Sequence, residues 1–186
     1  MTALVGLTIA IATESTGEIE MRFVDLTLAR SLGREALVTR TLVVLVIAVA
    51  LMLAAMVGGT WAGLTCCIPA DAEGPSFRVL VQLAISLATL IACWGGLTLV
   101  IGMLSRRRSV ASSIAGVLAF ATYLLDYLGR AWDPAAPVSR LSPFHYFEPM
   151  GIIMGQSLSA RNATVLIAVG LAGVIASYIV IAKRDI

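Results

Sequence analysis

Four stretches of the chain, 41–64, 79–104, 110–125 and 163–182, contain no charged residue. A helix needs about 20 apolar residues to cross the hydrocarbon core of a bilayer. All four runs therefore read as spans, the third once it is carried past Asp126 to Leu128. Lipid offers the backbone no hydrogen-bond partners, so only helices and closed barrels can cross it. Long alternating strands are absent, which argues against a barrel. Only 13% of residues are charged, against about 25% in soluble domains. The expected fold is all-α: one polytopic transmembrane helix bundle over 1–186, with the lipid bilayer as its surroundings. No nucleic-acid partner is expected.

Positive charge gives the orientation. Arg22, Arg30, Arg34 and Arg40 precede the first long span, Arg106, Arg107 and Arg108 separate the second and third, and Lys183 and Arg184 follow the last. The other connections hold only Arg78, Arg130, Arg140 and Arg161. The richer side is expected to be cytoplasmic. That puts the C-terminus inside and the loops 65–78 and 129–162 outside, in what reads as a prokaryotic cytoplasmic membrane protein.

The first thirteen residues, MTALVGLTIAIAT, are apolar but too few to span. Ala10-Ile11-Ala12 is like a signal-peptide cleavage site, yet no positive n-region precedes it. The expectation is the inner half of a helix whose beginning is missing, either in a shortened product or beside a partner that covers that end. Cys66, Cys67 and Cys93 give no disulfide framework and read as small apolar residues. Metal sites need spaced ligands such as CxxC with histidine, and the only histidine is His145. No metal or other cofactor is expected.

The outer loop 129–162 is broken by Pro134, Pro137 and Pro143, but LSPFHYFEPMGIIMGQSLSA is too apolar to lie free in water. Seven of the twelve aromatic residues fall between Phe120 and Phe147, and aromatics gather at membrane interfaces. Short helices in the outer leaflet are expected. Close helix contacts are expected at the small-residue pairs Gly59 with Gly63, Ser112 with Gly116, and Gly173 with Ser177.

The polar stretch EIEMRFVDLTLARSLGREALVTR precedes the first long span. On a helix Ile19, Phe23, Leu26, Leu28, Ala29 and Leu32 share an arc of roughly 120°, with Glu18, Glu20, Asp25 and Arg30 outside it. Residues 18–34 thus read as an amphipathic cytoplasmic helix. A helix that only binds lipid is usually Lys/Arg-rich on its polar face. The mixed signs here suit docking to a protein as well as they suit plain anchoring.

The same stretch resembles the cytoplasmic segment between the second and third spans of ABC transporter permeases of the exporter-like type 2 (ABC-2) family. Glu18, Glu20, Asp25, Leu26, Leu28, Ala29, Arg30 and Arg34 fit that pattern. Arg22-Phe23 stands where the family has Gly-Thr, and Ser31 where it usually has Pro. LSPFHYFEP at 141–149 is similar to the family's Ser-Pro-Phe-x-Tyr-like motif before the last span, and AKRDI to its Arg-Arg-Asp-Ile ending. The family has six spans, so 1–13 corresponds to the inner half of its second. The resemblance implies a membrane subunit working with a second membrane subunit, as homo- or heterodimer, and with separate ABC-type ATPase subunits. Residues 18–34 would be the main coupling helix, and Arg106, Arg107 and Arg108 in the turn Ser105–Ser109 a second contact with the ATPase. The chain itself is not expected to be an enzyme: a P-loop needs Gly-x-x-x-x-Gly-Lys-Ser/Thr, and the only lysine is Lys183, preceded by Ala182.

Intramembrane acids are functional candidates by default. Asp126, between Tyr123 and Tyr127, and Phe144, His145 and Glu148 in the outer loop are the candidates for a gate or substrate contact; none is read as catalytic. Two other readings stay open: a structural or regulatory membrane partner without transport of its own, and a membrane enzyme. The enzyme reading requires His145, Glu148, Asp126 and Asp133 to converge in one pocket.

Overall fold

The computed structural model describes residues 2–14, 16, 35–67, 75–105, 107–132, 134 and 136–183. The expected helix over 18–34, with Glu18, Glu20, Asp25, Arg30 and Arg34, lies outside the described residues, as do Arg106, Asp133 and the tail 184–186. The described residues are predominantly helical and include no strand. Its elements are α1 (Thr2–Ala12), α2 (Glu35–Cys67), α3 (Phe77–Leu104), α4 (Arg108–Ala131), α5 (Ala136–Ser139), a 3-10 turn (Pro143–Tyr146), α6 (Pro149–Ile153) and α7 (Ala160–Lys183). Helices α2, α3, α4 and α7 are long and apolar enough to cross a membrane. Each contains one of the charge-free runs and extends beyond it at one or both ends.

Polar side chains within these helices are satisfied locally. The hydroxyls of Thr60, Thr98, Thr122 and Thr164 each donate to the carbonyl four residues back, at 2.7–2.8 Å. This i−4 bonding lets threonine sit in lipid or in a dry interface without an orphaned donor.

Helix α3 is the centre of the bundle. Within its apolar window 61% of residues are buried, against 6% for α2, so α2 packs at the periphery. Leu87, Leu90, Ile91 and Trp94 of α3 form the main core with Val5 and Ile9 of α1, Ala115 of α4, Phe144 of the 3-10 turn and Leu166 of α7. The short helix α1 is therefore a core element, with Val5, Thr8, Ile9 and Ala12 all buried.

The most extensive packing is α3 on α7, and small residues permit it. A Cβ on Gly96 would collide with the backbone carbonyl of Gly170. One on Gly170 would stand 2.8 Å from the carbonyl oxygen of Ala92, and one on Gly173 2.6 Å from the carbonyl carbon of Gly96. Membrane helices lack a hydrophobic drive to associate, so dense backbone approach of this kind is what holds them together. Only one of the three expected small-residue pairs is at this interface: Gly173 with the buried Ser177. A Cβ on Gly59, Gly63 or Gly116 would meet open space. Helix α2 is apolar on every side, so sequence spacing did not distinguish its inward face from its outward one.

Candidate functional site

Two ends of the bundle carry polar chemistry. At the first, α3 ends, α4 begins and α7 ends. Val38 of α2, Met103 of α3 and Ile181 of α7 form a second apolar cluster there. Thr39 Oγ1 and Tyr178 Oη lie 2.8 Å apart and tie α2 to α7. The hydroxyl of Thr16 donates to the Gly102 carbonyl at 3.1 Å, and Arg108 pairs with Glu14 at 3.0 Å, both side chains well exposed. Arg107 is exposed beside it. Thr16 and Val38, on either side of the polar stretch 18–34, are thus both packed at the end that carries Arg107 and Arg108.

The opposite end is closed by the segment from α5 to α6, which folds back onto α3, α4 and α7. Its anchor is Ser142, fully buried before Pro143. The Ser142 hydroxyl donates to the Thr122 carbonyl of α4 at 2.7 Å and accepts from the Phe144 N–H at 3.2 Å. One side chain therefore caps the 3-10 turn and fastens it to a span. Proline at the first position of the turn costs no hydrogen bond there. The result drives Phe144 between Trp94 and Tyr123, with ring centroids 5.7 and 5.8 Å away.

Beside this aromatic wedge sits Asp126, whose side chain is only 10% exposed. Arg130, one turn further along α4, donates from Nε to its Oδ2 at 3.0 Å. His145 Nδ1 is 3.7 Å from the other oxygen, Oδ1, too long for a hydrogen bond, and 3.4 Å from Ser139 Oγ. Asp126 Oδ1 and Trp94 Nε1 are the two buried side-chain atoms that lack a hydrogen-bond partner among the described residues.

Glu148 shares only a cavity wall with His145, and four of the six residues expected at a gate come together here: Tyr123, Asp126, Phe144 and His145. Tyr127 does not. It is exposed, although it lies one turn beyond Tyr123 on much the same side of α4. The gathering required by the enzyme reading is not met among the described residues either. His145 and Glu148 line a cavity of about 320 Å³, Asp126 is not in its wall, and no group of three metal-ligating side chains occurs. Sequence reading missed Trp94, Arg130 and Ser142. Arg130 was legible as an i,i+4 partner of Asp126, and Ser-Pro before an aromatic run as a cap; Trp94 carried no signal beyond being apolar.

A second cavity, about 240 Å³ and apolar, opens between α1 and α4. Val5, Ile9, Ala119, Phe120, Tyr123 and Phe144 line it, so the aromatic wedge forms one of its walls.

The fold and this arrangement define an integral membrane helix bundle closed at one end by an aromatic segment that folds back onto the spans. The family model described as multidrug efflux system permease Rv1217c, C-terminal domain, matches residues 1–180. The chain belongs to that family, and is a transport-related membrane subunit of the permease type. No curated protein and no solved structure matches it.

Proposed function

We propose that the chain is the membrane-spanning subunit of an ATP-driven ABC exporter of the type 2 kind. In this reading it pairs with a second membrane subunit, and a separate ATPase supplies the energy. The observation that carries the reading is the match of residues 1–180 to the family of a multidrug efflux permease. The absence of a P-loop in the sequence is consistent with a partner that handles the nucleotide. The end bearing Arg107 and Arg108 is cytoplasmic in this reading, and the C-terminus with it.

Coupling requires that a push from the ATPase reach the spans. Thr16 on Gly102 and Val38 on Met103 and Ile181 fasten both flanks of the stretch 18–34 to the base of α3 and α7. A load applied to that stretch would reach the closely packed α3–α7 pair, which acts as one rigid body because its backbones are in contact. Helix α4, which holds Asp126 and the tether to Ser142, packs less extensively on α3 and is the element free to shift. Its movement would withdraw Tyr123 from Phe144 and open the apolar cavity beside them, a wall suited to a hydrophobic or amphiphilic cargo.

Charge reversal at Glu20 and Asp25 tests this. In membrane vesicles containing the assembled transporter, Glu20→Lys with Asp25→Lys is expected to abolish ATP-dependent efflux while the bundle remains folded and inserted. Normal efflux by the double variant would remove the coupling role of 18–34 and favour a structural partner without transport of its own.

A further inference from the structure

The 320 Å³ cavity at the Phe144 end lies in the range of small-molecule sites, about 300–1,000 Å³, and polar side chains predominate in its wall. Arg140, His145, Tyr146, Glu148, Arg161 and Asn162 line it. Arg140 comes from the turn after α5, Glu148 from the residue before α6, and Arg161 and Asn162 from the first turn of α7. Three of these six side chains are formally charged, and among the described residues none of the three makes an ion pair. Two guanidinium groups and a carboxylate, all three exposed, thus line one open chamber. The N-terminus of α7, a helix of 24 residues, adds a positive partial charge on the guanidinium side.

From this arrangement we infer that the cavity is a binding site for a phosphate zwitterion of the phosphoethanolamine type. Arg140 and Arg161 take the phosphate oxygens, since guanidinium forks match phosphate geometry. Glu148 takes the ammonium. A purely anionic ligand would leave Glu148 facing like charge, and a cation would leave both arginines unmatched. The chamber sits at the end of the bundle opposite Arg107 and Arg108, beside the first turn of the span α7. Such a group can arrive as a phospholipid headgroup or as a soluble phosphoethanolamine compound; the two share the chemistry that the cavity recognises. The site does not depend on the transport reading, because no ATPase enters the argument.

The test uses the full chain in mild detergent. Binding of dioleoylphosphatidylethanolamine, dioleoylphosphatidylglycerol and soluble glycerophosphoethanolamine is measured by native mass spectrometry and by equilibrium dialysis. The ethanolamine lipid, the soluble compound or both are expected to bind in preference to the glycerol lipid. Arg140→Gln with Arg161→Gln should weaken that binding at least tenfold. Glu148→Gln should weaken the ethanolamine ligands and bring the glycerol lipid level with them. Lipid binding without binding of the soluble compound identifies a headgroup site; equal binding identifies a site for the soluble zwitterion. The three exposed side chains make no hydrogen bond or ion pair among the described residues, so the variants should keep their helical circular dichroism, and Arg161→Gln alone serves should the double variant fail to do so. Equal ethanolamine-lipid binding by wild type and arginine variants, or a wild-type preference for the glycerol lipid, overturns the inference.

Discussion

Arg130 and Asp126 form one ion pair, but the two ends of it are not equivalent. The Asp126 side chain is 10% exposed and that of Arg130 55%. Replacing Asp126 with Asn leaves a guanidinium that water can solvate, and the loss is that of a partly exposed pair, below about 1 kcal/mol. Replacing Arg130 with Met leaves a buried carboxylate with only His145 nearby, at a cost of about 1–3 kcal/mol. Thermal unfolding in detergent should therefore rank Arg130→Met below Asp126→Asn. The reverse order would mean that Asp126 is held by something other than Arg130. The candidate residues were partly legible for a physical reason. Charges and aromatics in an apolar chain stand out, and so Asp126, Phe144 and His145 could be picked out as candidates. Trp94 did not stand out, because in a membrane protein an apolar residue that faces the core looks the same as one that faces lipid.

Among the elements, the α3–α7 interface decides stability. A methyl on Gly96 meets the backbone of Gly170, which cannot rotate out of the way. Gly96→Ala should cost about 1–3 kcal/mol through forced separation of the two helices. That outweighs the roughly 1 kcal/mol that alanine gains over glycine in helix propensity. On α2 the balance is opposite: nothing lies near Gly63, so Gly63→Ala in the isolated chain should be neutral or slightly stabilising. Paired denaturation curves check both. Equal effects at the two positions would contradict the packing described for α3 and α7. The same contrast explains which contacts the sequence hid. Spacing of small residues is a property of one helix, whereas contact needs a facing partner. Gly96 and Gly170 became meaningful only when their helices crossed. The four spans themselves were legible, because lipid imposes a minimum apolar length on any helix that crosses it. Their ends were less so, since helical hydrogen bonding continues past the last apolar residue into the interface.

At the scale of the whole molecule, the two polar ends have different constructions. One is a base where α2, α3 and α7 are locked together beside exposed arginines. The other is a folded-back segment wedged into the bundle by Phe144 and held by Ser142. Short helices in this segment were expected from its aromatic content, but its route between α3, α4 and α7 depends on hydrogen bonds and ring contacts between residues far apart in sequence. A bundle rigid at its base and wedged at its far end is suited to convert a push at one end into opening at the other, provided that a motor acts on the base. The most direct measurement isolates the tagged chain from its native membrane in mild detergent and assays ATP hydrolysis in the eluate. The account predicts a stoichiometric ATPase partner that co-purifies with the chain and is released by the Glu20→Lys, Asp25→Lys variant. A chain recovered without ATPase, from membranes in which that ATPase is demonstrably present, would contradict it.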